Sequence, residues 1–158
     1  MLIVSPTYTG CMNSITIPVG VPLQLTGDGL VLPMAGYMVK AGFPSPALDF
    51  PGERIDLLKT LVTHPQATYL LRVSGDSMKE AGIFDHDILV VNKALQPRHG
   101  SVVVATVDGE FCVKYLYKRG GRVKLQAANI TFPDILFSEG QTLEVFGVVT
   151  STIKQFQR

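Results

Sequence analysis

Charge is scarce in this chain. Its 14 Lys+Arg and 13 Asp+Glu make up 17% of 158 residues, and the first charged side chain is Asp28. With 46% hydrophobic residues, that scarcity excludes a disordered polar tail and leaves apolar mass for one proper core. Lys/Arg clusters are also missing, and the net charge is only +1. The basic footprint that phosphate-backbone binding requires is therefore absent, and no direct nucleic-acid binding is expected. Cysteine is rare: Cys11 and Cys112 form neither a CxxC pair nor a dense disulfide framework, which favours a reducing compartment. The uncharged first 27 residues contain Pro6, Pro18 and Pro22, follow no basic segment, and include no run of about 20 apolar residues. They fit neither an export signal nor a membrane span, and the expectation is a soluble cytoplasmic protein without a membrane partner.

Residues 1 to about 50 hold six of the ten prolines and show neither helical nor alternating periodicity, so they read as an extended arm. Pro44 and Pro46 push the segment Val39 to Pro44 towards extended geometry. A helix is expected from about Glu53 to Thr63, with Ile55, Leu58 and Val62 on one face and Pro65 as its stop. Beyond it, short β-rich runs alternate with turn residues: 68–73, 87–92, 101–107, 110–118, 122–127 and 142–154. The fold class is therefore mainly β, a compact antiparallel domain with one short helix and an N-terminal arm. Asp108-Gly109 between two β runs predicts a two-residue type I′ hairpin, which places Val107 opposite Glu110 and Val103 opposite Lys114.

Alternation along that second strand puts Phe111, Val113, Tyr115 and Tyr117 on one face and Cys112, Lys114 and Leu116 on the other. From spacing alone, Lys114 reads as an exposed lysine beside Glu110 and Lys118, because buried lysines are rare. The alternative is a desolvated lysine that can act as a base. Upstream, Ser74-Gly75-Asp76-Ser77-Met78 follows a strand, a setting in which a hydroxyl can project into a cleft near converging backbone N–H groups. Taken alone, such a stretch reads as a turn.

Several ordered segments together are far more specific. The runs AGFPSPALDF, ERIDLL, HPQATYLLRVSGDSM, GIFDHDILVV, HGSVVVATVDGEFCVKYL and TLEVFGVV, spread over about Lys40 to Gln155, resemble the self-cleaving LexA/UmuD-type serine peptidases, and UmuD-like mutagenesis proteins most of all. The resemblance implies a β fold of the LexA and signal-peptidase kind. It implies Ser77 as nucleophile and Lys114 as general base, 37 residues apart, with the backbone N–H groups of Ser77 and Met78 as the oxyanion hole. Ala41 and Gly42 match the pair whose peptide bond is cut, so residues 1–41 are the arm removed and 42–158 the peptidase domain. Small residues at the cut let the backbone approach the nucleophile, and a Val or Trp there would obstruct it.

The same resemblance implies stimulation by a RecA–single-stranded-DNA filament, a homodimer, and a processed product that serves a UmuC-type Y-family DNA polymerase in error-prone translesion synthesis during the SOS response. A non-enzymatic regulatory module of the same fold, acting on a polymerase or RecA without processing, is the alternative. His64, His86 and His99 permit a Ser-His-Asp reading, but sequence adjacency carries no triad geometry. Asp85-His86-Asp87 reads as a solvated turn rather than a metal site, since strand neighbours point to opposite faces. No metal and no cofactor are expected. The arm before Ala41 exceeds that of typical UmuD proteins, with Met12 as another candidate start, and its length and prolines do not suit the helix-turn-helix of a repressor.

Overall fold

The structure is a computed structural model and describes residues 29–35, 41, 52–137 and 143–156. Among the described residues, nine strands form two antiparallel sheets. Strand β1 (Val31–Met34) pairs with β2 (Glu53–Asp56) in a small sheet. The main sheet has the order β3-β4-β9-β5-β6-β7-β8, built from β3 (Thr68–Arg72), β4 (Ile88–Asn92), β5 (Val102–Val107), β6 (Glu110–Arg119), β7 (Arg122–Gln126), β8 (Ile135–Leu136) and β9 (Leu143–Ile153). Among the described residues, one α-helix, α1, covers Leu57–Leu61. No helix among the described residues is long and apolar enough to cross a membrane.

The hairpin forms as its turn residues dictate. Asp108 (φ 51°) and Gly109 (φ 88°) both adopt the left-handed backbone of a type I′ loop, and the ladder pairs Val107 with Glu110 and Val103 with Lys114. The helix differs from its expected span. Glu53 to Asp56 are extended because they pair with β1, and Asp56 then caps α1, its Oδ1 accepting from the Leu58 and Lys59 N–H groups at 3.1 and 3.2 Å. The arm also holds a strand that periodicity did not reveal. All four residues of β1 are exposed, so no apolar alternation marks it, and Pro33 sits in the pair without an N–H to give. Of the 39–44 segment only Ala41 is described, as an exposed bend, and Cys11 falls outside the described residues.

Two bulges shape the main sheet. The register of β9 slips against β5 between Val104 and Ala105, and against β4 between Val90 and Val91, leaving Phe146 and Thr150 as extra residues. Such insertions bend a strand and increase its twist. Consequently Leu71 on β3 and Val113 on β6, the first and fifth strands of the sheet, share one core with Val73, Met78, Ile83, Leu89, Val91, Val104 and Ala128. A second core gathers Val103, Ala105, Val107, Cys112, Leu116, Leu125 and Ile135.

Gly147 lies at the first bulge, where an added Cβ would stand 2.8 Å from Val91 Cγ1 and 3.1 Å from the Asn92 carbonyl oxygen. Gly147→Ala is expected to destabilise the domain by about 1–3 kcal/mol in urea unfolding, the usual range for overpacking a tight site; a midpoint unchanged from the parent would contradict this packing.

At the far edge, the Lys124 ammonium donates to Asp134 Oδ2 at 2.8 Å and the Gln126 amide donates at 3.3 Å, holding the Asp134 carboxyl below the usual carboxylate range despite some desolvation. A depressed folded-state value means that the stabilisation is complete above the ordinary unfolded value and disappears as pH falls through the lowered one. An NMR titration should place the Asp134 midpoint below that of a free aspartate, and Lys124→Ala should return it to the ordinary range.

Candidate active site

Strand β3 ends at Arg72, and the segment 73–82 that follows is fixed at nearly every residue. Gly75 takes φ 89°, a conformation that favours glycine, and its N–H donates to Asp85 Oδ1 at 2.8 Å. Met78 anchors the segment in the core with 1% of its surface exposed. Beyond it, a single 3-10 turn over Lys79–Ala81 ends at Gly82, φ 78°. From the other side, the chain just after β7 clamps the segment: Ala128 N–H donates to the Ser77 carbonyl at 2.9 Å, Glu80 N–H donates to the Ala128 carbonyl at 2.7 Å, and Asn129 Nδ2 donates to the Asp76 carbonyl at 2.9 Å.

This framework holds Ser77, which is 1% exposed, against Lys114 of β6, also 1% exposed. Their Oγ and Nζ atoms are hydrogen-bonded at 2.5 Å, and Lys114 Nζ donates further to the Val113 carbonyl at 3.1 Å. The exposed lysine that spacing alone suggested is thus corrected: Lys114 is among the largest fully buried side chains, flanked along its face by Cys112 and Leu116 in the second core. Because β5 covers one side of β6 and the 73–82 segment reaches it from elsewhere, a parity that would be solvent-facing in an isolated hairpin is interior here. Among the described residues, β7 pairs with β6 over Tyr115 to Arg119, and Ser77 meets β6 just short of that ladder.

Water removal defines the chemistry available to such a pair. A desolvated amine loses the hydration that favours its charged form, so burial disfavours the ammonium. A hydroxyl within hydrogen-bond reach of a neutral amine has the arrangement needed to transfer a proton during nucleophilic attack. Met78 stands beside Ser77 in the clamped segment. Ala41 is exposed, while Gly42 lies outside the described residues.

The histidines are engaged elsewhere. His64 Nδ1 accepts from Asn92 Nδ2 at 2.9 Å, His99 Nδ1 accepts from Lys118 N–H at 3.3 Å, and His86 stands 3.2 Å from Asp85 in an exposed turn. That turn is less simply solvated than its sequence suggested. Asp85 fixes Gly75, and Asp87, 5% exposed, accepts from Phe84 N–H and Lys154 Nζ, both at 2.9 Å. No cluster of metal-ligating side chains occurs among the described residues. The clamp from Ala128 and Asn129 escaped sequence reasoning altogether. The only available signal was an Asn in a short stretch after a strand, Ala127-Ala128-Asn129-Ile130-Thr131, which is ordinary loop composition.

The profile of the family described as Peptidase S24-like matches residues 33–150. Protein ImpA of Salmonella typhimurium is 40% identical over 126 residues, covering 80% of this chain and 86% of the relative. Protein MucA of Escherichia coli is 42% identical over 123 residues, 77% and 84% of the two chains. A LexA repressor from Syntrophotalea carbinolica is 37% identical over 139 residues, 87% of this chain and 67% of the repressor. A profile that spans both the Ser77 segment and the Lys114 strand, together with relatives aligned over most of their own length, places this chain in the Peptidase S24-like family.

Proposed function

We propose that this protein is a self-cleaving peptidase in which Ser77 attacks the Ala41–Gly42 bond of its own arm with Lys114 as general base. The observation that carries this reading is the buried amine hydrogen-bonded to a buried hydroxyl, 1% exposed each and 2.5 Å apart.

The steps balance without an outside reagent other than water. Neutral Lys114 takes the Ser77 hydroxyl proton as Oγ bonds to the Ala41 carbonyl carbon, and the charge that develops on the carbonyl oxygen is held by the N–H groups of Ser77 and Met78. The Lys114 ammonium then returns the proton to the Gly42 nitrogen as the C–N bond breaks, leaving an ester between Ser77 and Ala41. A water deprotonated by Lys114 hydrolyses that ester, freeing residues 1–41 from 42–158 and restoring both side chains.

The small sheet supports the same reading. Its pairs Val31–Asp56 to Met34–Glu53 bring together the two sides of an 18-residue connection (53 − 34 − 1), and Ala41 lies within it. Ala41 and Ser77 lie on one chain, 77 − 41 = 36 residues apart, so attack within that chain joins tethered groups, a setting in which effective molarities of about 10⁵ to 10⁸ M are reached when the geometry is right.

By kinship with ImpA, MucA and LexA, the biological setting is DNA-damage-induced mutagenesis. In that setting a RecA–single-stranded-DNA filament stimulates cleavage, and the processed chain acts as a homodimer serving a UmuC-type Y-family polymerase in the cytoplasm. An activating filament can do this only by binding the cleavage-competent arrangement of the arm more tightly than the other arrangements.

Purified protein held at about pH 10, near the ordinary lysine value, is expected to yield a product starting at Gly42, identified by intact mass. The first-order rate should rise with pH as the amine loses its proton and then level off. Ser77→Ala and Lys114→Ala should each lower that rate by at least ~10³-fold, the order of loss when a nucleophile or its base is removed, while far-UV circular dichroism stays that of the parent. An uncut chain, a cut elsewhere, or cleavage by Lys114→Ala at the parental rate would sink the proposal.

A further inference from the structure

We propose, on top of the serine–lysine peptidase reading, that Asn129 is a positioning residue that aims the Ser77 N–H into the oxyanion hole. Its side-chain orientation is settled by its neighbours. Asn129 Oδ1 accepts from Thr131 N–H at 3.1 Å and from Thr131 Oγ1 at 2.8 Å. A backbone N–H can only donate, so the oxygen faces Thr131 and the amide nitrogen faces the Asp76 carbonyl, 2.9 Å away.

That carbonyl belongs to the same peptide unit as the Ser77 N–H. In a planar trans peptide the C=O and N–H point in opposite directions, so fixing one fixes the other. The next unit is treated alike: Ala128 N–H donates to the Ser77 carbonyl at 2.9 Å, which orients the Met78 N–H. Two successive carbonyls are therefore drawn towards the 128–129 segment, and the two N–H groups behind them are directed away from it, side by side. The clamp itself is braced, with Glu80 N–H donating to the Ala128 carbonyl at 2.7 Å and Glu80 Oε1 accepting from Ile130 N–H at 3.3 Å.

Three bonds orient these units, because the Asp76 carbonyl also accepts from the Lys79 N–H at 3.2 Å. The two from backbone N–H groups are indifferent to side-chain identity, and the shorter bond to the Asp76 carbonyl comes from the Asn129 side chain and is open to mutation. Asn129 does not touch the scissile bond. It acts through the Asp76–Ser77 peptide, and preorganised donors lose their value when free to rotate.

The test is the full chain's self-cleavage at its alkaline plateau, where the protonation of Lys114 no longer limits the rate. Asn129→Asp keeps an acceptor for Thr131 and loses the donor to Asp76, and Asn129→Ala loses both. Each is expected to slow the plateau rate by at least ~10-fold, towards the ~10²–10³ that loss of one oxyanion donor costs, with the midpoint of the pH–rate curve unmoved because the surroundings of Lys114 are intact. Thr131→Val, which loosens the turn and spares the Asp76 bond, should cleave within about threefold of the parent. Should Asn129→Asp fail to fold, Asn129→Ala carries the same comparison. The inference is overturned if the folded Asn129 variant reaches the parental plateau, if Thr131→Val slows cleavage equally, or if a displaced pH midpoint accounts for the loss. A parent that remains uncut overturns the peptidase reading as well; a parent that cuts while the Asn129 variants match it overturns only this one.

Discussion

An amine withdrawn from water beside a hydroxyl is the constraint around which the domain is organised. Carrying a charged ammonium into a protein interior costs several kcal/mol even after relaxation, whereas a neutral amine that keeps hydrogen bonds to Ser77 and to the Val113 carbonyl avoids most of that cost. Packing Lys114 between Cys112 and Leu116, opposite Val103, therefore withdraws the amine from water in the same act that builds the sheet. The position of that amine is set locally, since the Asp108-Gly109 turn fixes the register of β5 on β6 and with it the face on which Lys114 emerges. A slip of one residue would move the lysine to the opposite face and bring Val113 or Tyr115 in its place.

Proximity to Ser77 is a global property. The strand that precedes Ser77 and the strand that carries Lys114 are first and fifth in the sheet, so in a flat sheet they would lie about 19 Å apart at ordinary spacing. The two bulges of β9 supply the bending, and the 73–82 segment, pinned by Asp85 on one side and by Ala128 and Asn129 on the other, spans what distance remains. Gly147 is required where β9 passes close to Val91 and Asn92. The catalytic geometry of the proposed pair thus depends on residues that touch neither member of it.

This division explains what could be read from the chain. The β6 hairpin, its register and the six main strands were legible to within a residue or two, because each rests on short-range chemistry: a turn dipeptide, β-branched runs, alternation. The start of α1 was misjudged because apolar spacing continued through Glu53–Asp56 while pairing with the distant β1 decided their conformation. Strands β1 and β8 were missed, the one wholly exposed and the other two residues long, so neither carries a period. Burial of Lys114 was invisible to spacing, which sees only one hairpin; it became an expectation through the resemblance of several segments taken together. The clamp from Ala128 and Asn129 had no such help, since contacts to backbone carbonyls about fifty residues away leave no compositional trace.

Under the proposed self-cleavage, a catalyst joined to its own target must also be prevented from acting too soon, and two features of the chain bear on that restraint. On the proposed mechanism the rate scales with the fraction of chains in which Lys114 is neutral and with the fraction in which Ala41 is seated against Ser77. An amine of ordinary lysine basicity, about 10.4, would be neutral in only about one molecule in a thousand near pH 7.4, and each tenfold gain from desolvation corresponds to about 1.4 kcal/mol. Lys114 is already buried in the fold. The second fraction would depend on the 18-residue connection, whose ends are gathered by four residue pairs of a two-stranded sheet with β1 wholly exposed, a structure that is marginal by itself. An activator that grips the seated arm can raise the second fraction no further than unity and by no more than its preference for that arrangement. Raising pH acts on the first. The two routes are therefore separable, and their effects multiply until the arm is fully seated, after which the chemistry of the buried pair alone sets the rate.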